Sequence, residues 1–182
     1  MTDLTSLLAF RWSPRSFDPV AELTRAEVAT LLEAARWAPS VGNRQPWRFV
    51  VGHRDDEIFK RILVNLPPDE QRWAGRASIL LLAAHCQTGH PFAAYDLGQA
   101  VAHLTVQATA LGLHVRQITD LDRGGLVADL DLPGDVRPYV AVAVGQLGDP
   151  FSLPADLLAE ETSLRHRRPL AELVMGCAGA TA

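Results

Sequence analysis

The chain has 182 residues, of which 48% are apolar and 21% are charged. This length and balance suit one folded domain with a sizeable buried core, so we expect residues 1–182 to form a single domain. The net charge of −4 argues against a nucleic-acid partner, because proteins that bind a phosphate backbone usually present a basic surface.

The N-terminal residues, the longest apolar run and the cysteines together predict a cellular compartment. Residues 1–10 have no basic region before their short apolar stretch, which predicts that they are not a signal peptide. The longest apolar run, residues 79–84, is too short to span a bilayer. We expect Cys86 and Cys177 to be free thiols in a reducing compartment. A cytoplasmic protein without a membrane partner is therefore predicted.

The first half of the chain contains clear signals for helices and strands. A first helix is predicted over residues 3–10. Thr24 and Glu27 have the spacing of a capping box, which predicts a helix that ends before Pro39. A short strand over 49–51, a helix over 55–63 and a polar loop over 65–69 are expected to follow.

The second half alternates apolar runs with one long periodic segment. The continuous apolar run 79–84 predicts a strand that is covered on both faces. A long helix is predicted over 91–111, closed by Gly112. A strand over 114–118, a helix over 126–130 and a strand over 139–144 follow, then a polar stretch up to Arg165 and a short apolar segment, 170–175. These elements predict an α+β layered domain with a small central sheet.

Two clusters of arginine residues lie near opposite ends of the chain. Arg11, Ser13 and Arg15 fall within five residues, and Arg165 and Arg167 form the second cluster. A doubly ionised phosphate needs several converging donors, and arginine supplies a rigid fork of them. Either cluster alone is typical of a solvated charged face. Both together in an acidic chain favour an anion site.

A second motif lies just before the first predicted strand. It reads Pro39-Ser40-Val41-Gly42-Asn43-Arg44-Gln45-Pro46-Trp47 and combines short polar side chains with two prolines. A plain loop would need only residues that form turns, and a tryptophan after Pro46 would then be incidental.

These two motifs together resemble the N-terminal signatures of the flavin-dependent nitroreductase family. The resemblance implies that FMN is bound, with Arg11 on its phosphate and Ser13 assisting near the phosphate and ribityl chain. It also implies that Arg15 reaches the ribityl chain and the N1/C2=O side of the ring, where a cation stabilises the reduced flavin. Trp12 stands where other members carry arginine or histidine, and its backbone can still serve. Arg165 and Arg167 would complete the phosphate site.

The second motif is implied to lie against FMN that is held mainly by the other subunit. Pro39 and Ser40 would cover the ring, and Asn43 would hydrogen-bond ring heteroatoms. Gln45 belongs to the same cofactor-binding segment. Trp47 is interpreted as an anchor in the core rather than as a ligand contact.

Two segments depart from the pattern of the family. The stretch 70–76 lacks the asparagine and lysine that often contact the edge of the flavin ring, which leaves Gln71 or Arg76 as candidates. The turn after the third strand lacks the glycine found in many members, so the N–H group near flavin N5 would come from Thr119 or Asp120.

Other polar residues point to chemistry less strongly, and no metal site is expected. Asp96, Gln99 and His103 share one face of the long helix, which is more typical of a polar seam than of a metal or proton-transfer site. His85 and Cys86 with His90 lack the spacing of a zinc site. The sequence contains neither a Gly-x-Gly-x-x-Gly fingerprint nor a phosphate loop, which argues against a Rossmann domain or an NTPase.

The resemblance implies a specific function and assembly. We expect a nitroreductase-like fold in an intertwined homodimer: a small, mostly antiparallel sheet flanked by helices, with termini that reach across to the partner. NADH or NADPH would reduce FMN, which would then reduce a nitro compound, quinone or other conjugated acceptor in a ping-pong mechanism. Two alternatives remain open: a flavin-dependent oxidase or dehydrogenase of a specialised substrate, and a flavin-binding or storage protein without NAD(P)H turnover.

Overall fold

A four-stranded sheet forms the centre of the molecule. The computed structural model describes residues 4–87 and 89–175. The strands are β1 (Trp47–His53), β2 (Ile79–Cys86), β3 (His114–Ile118) and β4 (Val136–Gly145), in the order β1-β2-β4-β3. All three pairs are antiparallel. The predicted α+β layered architecture with a small antiparallel sheet is therefore confirmed.

Helices cover both faces of this sheet. The described residues form α1 (Ser6–Ala9), α2 (Arg25–Arg36), α3 (Glu57–Val64), α4 (Pro68–Ala74), α5 (Ala93–Ala110), α6 (Arg123–Asp129), α7 (Ala155–Glu161) and α8 (Leu170–Leu173). Two 3₁₀ turns lie at Val41–Asn43 and Pro150–Ser152. None of the helices in this part of the chain has the length and apolarity needed to cross a membrane.

The apolar run in β2 is buried on both sides, as predicted. Successive side chains of a strand point to opposite faces. Ile79 and Leu81 therefore join the core layer that contains residues of α2 and α5, whereas Leu80 and Leu82 join the layer of α3, α4 and α6. Trp47 at the start of β1 is buried in the first layer, which confirms its interpretation as a core anchor.

Local signals in the sequence identified most elements. The capping box of α2 is confirmed, since Thr24 Oγ1 accepts from the Glu27 N–H group at 3.2 Å and Glu27 Oε2 accepts from the Thr24 N–H group at 2.7 Å. The prediction for β3 is confirmed over its full length. The first helix is shorter than predicted, and β1 and β4 are longer.

Two stretches without a predicted helix contain one, and the loop predicted over 65–69 was wrong from Pro68 onward. The loop expected over 65–69 gives way at Pro68 to α4, which has a proline at its first position and Asp69 and Glu70 in its first turn. Both features favour the start of a helix. The polar stretch before Arg165 contains α7, which begins directly after Pro154 and has Asp156 in its first turn.

The N-terminal arginine motif is fixed to the rest of the fold by Phe17. This side chain is fully buried and its ring stacks on Trp73 with centroids 6.0 Å apart. Phe17 also forms a β-bridge to Leu147, and the Gly148 N–H group donates to the Ser16 carbonyl at 2.7 Å. The residues just before Phe17 are thereby held beside the chain that leaves β4.

Replacing Gly52 in β1 with alanine should destabilise the protein. A Cβ atom at this position would lie 2.3 Å from the backbone nitrogen of Phe59 in α3, so the helix would have to move. We expect the Gly52→Ala variant to lose about 1–3 kcal/mol of unfolding free energy, measured by urea denaturation. Gly134→Ala is the matched control, because its Cβ would meet nothing within 4 Å. Equal stabilities of the two variants would contradict this account of the β1–α3 packing.

Candidate functional site

The two arginine clusters meet in space, although they are about 150 residues apart in sequence. Arg11 Nη1 donates to Ser13 Oγ at 3.2 Å, and Arg165 Nη1 donates to the Arg11 carbonyl at 2.6 Å. Burial lowers the pKa of the Arg11 guanidinium below its usual value, and the positive charges of Arg165 and Arg167 lower it further. The N-terminal motif and the C-terminal segment therefore share one basic cluster.

This cluster of Arg11, Ser13, Arg165 and Arg167 has the character of an anion site. Three guanidinium groups near one another repel, and an anion with several acceptor oxygens placed among them would remove that repulsion. Arginine forks and a hydroxyl group are the donors that phosphate groups commonly find in proteins. The electrostatics and the donor set point to the same class of ligand.

A cavity of about 270 Å³, here called the arginine cavity, opens beside Arg11 and Ser13 of the basic cluster. Its walls come from the N-terminal segment, from α5 and from β3. The lining residues are Leu8, Arg11, Ser13, Ala102, Thr105, Val106, Val115 and Gln117. A ligand with an anionic end and an apolar body would match this combination of charged and aliphatic walls.

Trp12 and Arg15, which the sequence also assigned to the site, are directed elsewhere. Arg15 Nη1 forms an ion pair with Glu160 Oε2 at 2.6 Å. The ring of Trp12 meets His114 edge-on with centroids 6.0 Å apart. Burial lowers the pKa of His114, and the charge of Glu161 partly opposes this. Neither Trp12 nor Arg15 lines the cavity beside Arg11.

Glu161 at the end of α7 fixes the conformation of the arginine motif. Its carboxylate accepts from the backbone N–H groups of Arg15 at 2.8 Å and Ser16 at 2.9 Å, and also from the Ser16 hydroxyl. These donors form an anion-binding nest that the chain fills with its own carboxylate. A phosphate group is therefore left with the arginine cluster. Sequence reasoning missed this role of Glu161, because the contact with Ser16 spans 145 residues.

Arg116 in β3 also holds the N-terminal arginine motif in place. Its guanidinium donates to the Ser13 carbonyl at 2.7 Å and lies 5.3 Å from the centre of the Trp73 ring. Burial lowers the pKa of Arg116, and the nearby charge of Arg15 lowers it further. Sequence reasoning missed this residue, since a single arginine in a strand resembles any exposed charge.

The second motif forms a compact turn with its own internal hydrogen bonds. The Gln45 N–H group donates to Ser40 Oγ at 3.0 Å, and Gln45 Nε2 donates to Asn43 Oδ1 at 3.0 Å. Gly42, Asn43 and Gln45 have φ values of 61°, 55° and 49°, in the left-handed region. Asn43 and Gln45 are exposed. The turn presents its amide side chains to the outside of the chain.

This turn borders a separate cavity of about 200 Å³, here called the loop cavity. That cavity is lined by Pro39, Ser40, Val41, Tyr95, Asp96 and Gln99. Its α5 residues precede those of the arginine cavity by seven positions, so the two cavities lie on the same face of α5, about 10 Å apart. Within one chain, the structure thus places the predicted site residues in two groups, with Trp12 and Arg15 outside both cavities.

The segments that depart from the resemblance are occupied by internal contacts. Gln71 Nε2 donates to the Leu66 carbonyl at 2.7 Å, and Arg76 Nε donates to the Phe17 carbonyl at 3.2 Å. Thr119 and Asp120 are exposed just beyond β3. Across the described residues, no group of three or more His, Cys, Asp and Glu side chains is arranged to hold a metal ion. Cys86 is a buried free thiol, and Cys177 lies outside the described residues.

Comparison with known proteins identifies the family. Residues 8–78 match the model of the nitroreductase family. The chain is 30% identical to 5,6-dimethylbenzimidazole synthase of Rhodospirillum rubrum, and the match covers 91% of this chain and 90% of that protein. The chain belongs to the nitroreductase family. The resemblance of the two N-terminal motifs is thereby confirmed.

Other members of the nitroreductase family agree in fold and name. The chain is 41% identical to the putative NAD(P)H nitroreductase YdgI of Bacillus subtilis, over 80% of this chain and 65% of that protein. It superposes on a solved structure described as an oxidoreductase containing FMN with a TM-score of 0.89 and 32% identity. That match covers 98% of this chain and 94% of the other. The family is one of oxidoreductases.

Removing the Glu161 carboxylate should loosen the arginine motif. The Glu161→Ala variant leaves the N–H groups of Arg15 and Ser16 without their acceptor, so we expect a loss on the order of 2–3 kcal/mol in unfolding free energy. Urea denaturation measures this loss. Glu57→Ala is the control, since it removes an ion pair with Arg61 in which both side chains are exposed and should cost about 1 kcal/mol or less. Similar losses in both variants would contradict the role given to Glu161.

Proposed function

We propose that this nitroreductase family member is an FMN-dependent oxidoreductase that takes hydride from NADH or NADPH. In a ping-pong mechanism it would reduce nitro compounds, quinones or similar conjugated acceptors. The observation that carries this proposal is the basic cluster of Arg11, Ser13, Arg165 and Arg167, of which Arg11 and Ser13 line a cavity with largely apolar walls. The FMN-containing structural neighbour and the relative named as a nitroreductase support it. We treat residues 1–182 as one domain, and the cytoplasmic location stays a prediction.

The residues of the cluster fit the phosphate end of FMN. Arg11, Arg165 and Arg167 supply charge, and Ser13 supplies a hydroxyl group at 3.2 Å from the Arg11 guanidinium. Burial lowers the pKa of Arg11, and the positive charges of Arg165 and Arg167 lower it further, so an anionic group placed among them would be stabilised. The ribityl chain and ring would then extend along α5 and β3, whose aliphatic residues line the cavity.

Bound FMN would supply the redox chemistry, by holding two electrons between the nicotinamide and the acceptor. The chain would bind, orient and tune it. Arg15 is paired with Glu160, and its Nε group is buried without a hydrogen-bond partner among the described residues. Arg15 would have to leave Glu160 to reach the ring, where its charge would stabilise the negative charge of the reduced flavin. Trp12 would contribute through its backbone.

A homodimer would bring the two groups of site residues together. Pro39, Ser40, Asn43 and Gln45 would act on FMN held by the arginine cluster of the partner subunit. An apolar groove of about 700 Å³ between α1, α2 and α5 offers a surface for such a partner. Trp37 on this groove is 72% exposed and Leu8 is 46% exposed, which is unusual for large apolar side chains.

The match to 5,6-dimethylbenzimidazole synthase favours a second candidate function. That relative aligns over 91% of this chain and is named for making an aromatic product rather than for reducing a nitro compound. The chain would then be a flavin-dependent enzyme of a specialised substrate. Incubation of the FMN-loaded protein with NADPH and oxygen, followed by mass spectrometry against authentic 5,6-dimethylbenzimidazole, distinguishes the two functions.

The first test is an anaerobic visible spectrum of the natively purified protein, before and after addition of NADH and then NADPH. A flavin spectrum that bleaches with either nucleotide is the expected result. A bound flavin that stays oxidised would contradict NAD(P)H dependence and favour the oxidase or storage alternatives. A colourless protein that does not bind added FMN would overturn the proposal.

The Arg11→Ala variant should bind FMN more weakly than the unaltered protein. A charge-assisted contact is worth roughly 1.5–3 kcal/mol, which corresponds to about a 10- to 150-fold increase in the Kd for FMN measured by flavin fluorescence. Arg25→Ala on the exposed start of α2 is the control and should leave the Kd unchanged. If Arg11→Ala also leaves it unchanged, the phosphate lies elsewhere.

Mixing two defective variants should restore part of the activity if the site is shared between subunits. An exchanged dimer of Arg11→Ala with Asn43→Ala holds both defects in one site and none in the other. Random exchange would give about one quarter of the wild-type sites, because half of the dimers are mixed. The rate of flavin reduction by NAD(P)H after mixing measures this recovery. An absence of recovery would show that Arg11 and Asn43 serve the same chain's site.

A further inference from the structure

Asp96 is a buried carboxylate in the first turn of α5. The residue is fully buried, with 0% of its surface exposed. Its two oxygens lie 3.2 and 3.3 Å from the backbone nitrogen of Val41, whose N–H group donates to them. The imidazole of His90 lies 3.5 Å from Oδ2. A carboxylate removed from water is costly unless donors compensate it, so this contact with Val41 needs a reason.

The contact with Asp96 joins the 40–45 turn of the second motif to α5. Within residues 4–87 and 89–175, every other hydrogen bond of the segment 40–45 stays inside that segment. Those internal bonds give the turn its shape. The bond from Val41 to Asp96 alone ties the turn to a helix.

The geometry of the turn makes this single attachment important. Gly42, Asn43 and Gln45 adopt left-handed backbone conformations, which cost energy at the two positions that are not glycine. A strained, exposed turn keeps one orientation only if neighbouring structure restrains it. Asp96 supplies that restraint from α5, a rigid element packed on the sheet.

We infer that Asp96 is a positioning residue of the flavin site. Its carboxylate sets the orientation of the 40–45 turn over α5, and therefore the place of Ser40 and Asn43 against the flavin ring. This inference rests on the proposed function, because it concerns the same site. Asp96 touches the backbone of the turn and acts on the flavin only through it.

Two variants of Asp96 and one of Val41 separate this role from simple stability. Asp96→Ala removes the acceptor, whereas Asp96→Asn keeps one oxygen that accepts from the Val41 N–H group. Val41→Pro removes the donor and leaves the carboxylate in place; Val41 begins a 3₁₀ turn after an extended Ser40, where proline is tolerated. This variant tests the inference even if Asp96→Ala fails to fold.

Asp56 provides a matched control on the other side of the sheet. Its carboxylate also accepts from two backbone N–H groups, those of His53 at 2.9 Å and Phe59 at 2.7 Å, and it caps α3. Asp56→Ala therefore removes a comparable carboxylate contact at a distance from the proposed flavin site. It should lower stability without changing the flavin.

The experiment compares amide hydrogen exchange of the 39–46 segment and the visible spectrum of bound FMN. Asp96→Ala and Val41→Pro should shift the fine structure of the flavin spectrum and raise the Kd for FMN by about tenfold or more. In Asp96→Ala the Val41 amide should also exchange at least about tenfold faster, as expected for a lost hydrogen bond to a charged group. Asp96→Asn should show the wild-type flavin spectrum, and Asp56→Ala should leave that spectrum unchanged.

The outcomes distinguish this inference from the proposed function. If the wild-type protein binds FMN and both Asp96→Ala and Val41→Pro keep its spectrum and affinity, Asp96 is merely structural and the inference is overturned. Failure of Asp96→Asn to restore the spectrum would likewise overturn it. If the wild-type protein binds no FMN, the proposed function fails, and the inference fails with it.

Discussion

The packing of α5 on one face of the sheet is the constraint on which the candidate site depends. The helix packs against β1, β2 and β3 and against α2, and these contacts fix its position on the sheet. Its remaining surface borders both cavities, the arginine cavity at Ala102–Val106 and the loop cavity at Tyr95–Gln99. Side chains supported by a rigid helix hold a ligand more accurately than side chains on loops.

The candidate anion site is formed by contacts between distant segments rather than by one local motif. Glu161 fills the backbone nest of Arg15 and Ser16, and Arg165 donates to the carbonyl of Arg11. The C-terminal segment therefore both shapes the N-terminal motif and adds charge to it. Arg11 lines the cavity beside α5 and β3, whereas Arg165 and Arg167 line a second cavity that shares Leu8 with it.

Sequence reasoning succeeded where the signal was local. The capping box of α2, the doubly buried run of β2 and the long helix α5 follow from spacing and hydrophobicity over fewer than about 20 residues. It failed for α4, whose first proline was assigned to a loop, and it made no prediction for α7. It also missed Glu161 and Arg116, whose partners lie more than 100 residues away, and it saw Asp96 only as part of a polar stripe.

The separation of the basic cluster from the 40–45 turn within one chain follows from their positions along α5. Both lie on one face of α5 about 10 Å apart, so a single subunit presents the arginine cluster and the 40–45 turn side by side rather than facing each other. In the homodimer that we propose, a two-fold axis beside α5 would bring the turn of one subunit to the arginine cluster of its partner. The same contact would then form a second time, because an isologous interface is symmetric. Asp96 then links the two sites physically. The carboxylate that orients one subunit's turn belongs to the helix that lines the same subunit's own arginine cavity.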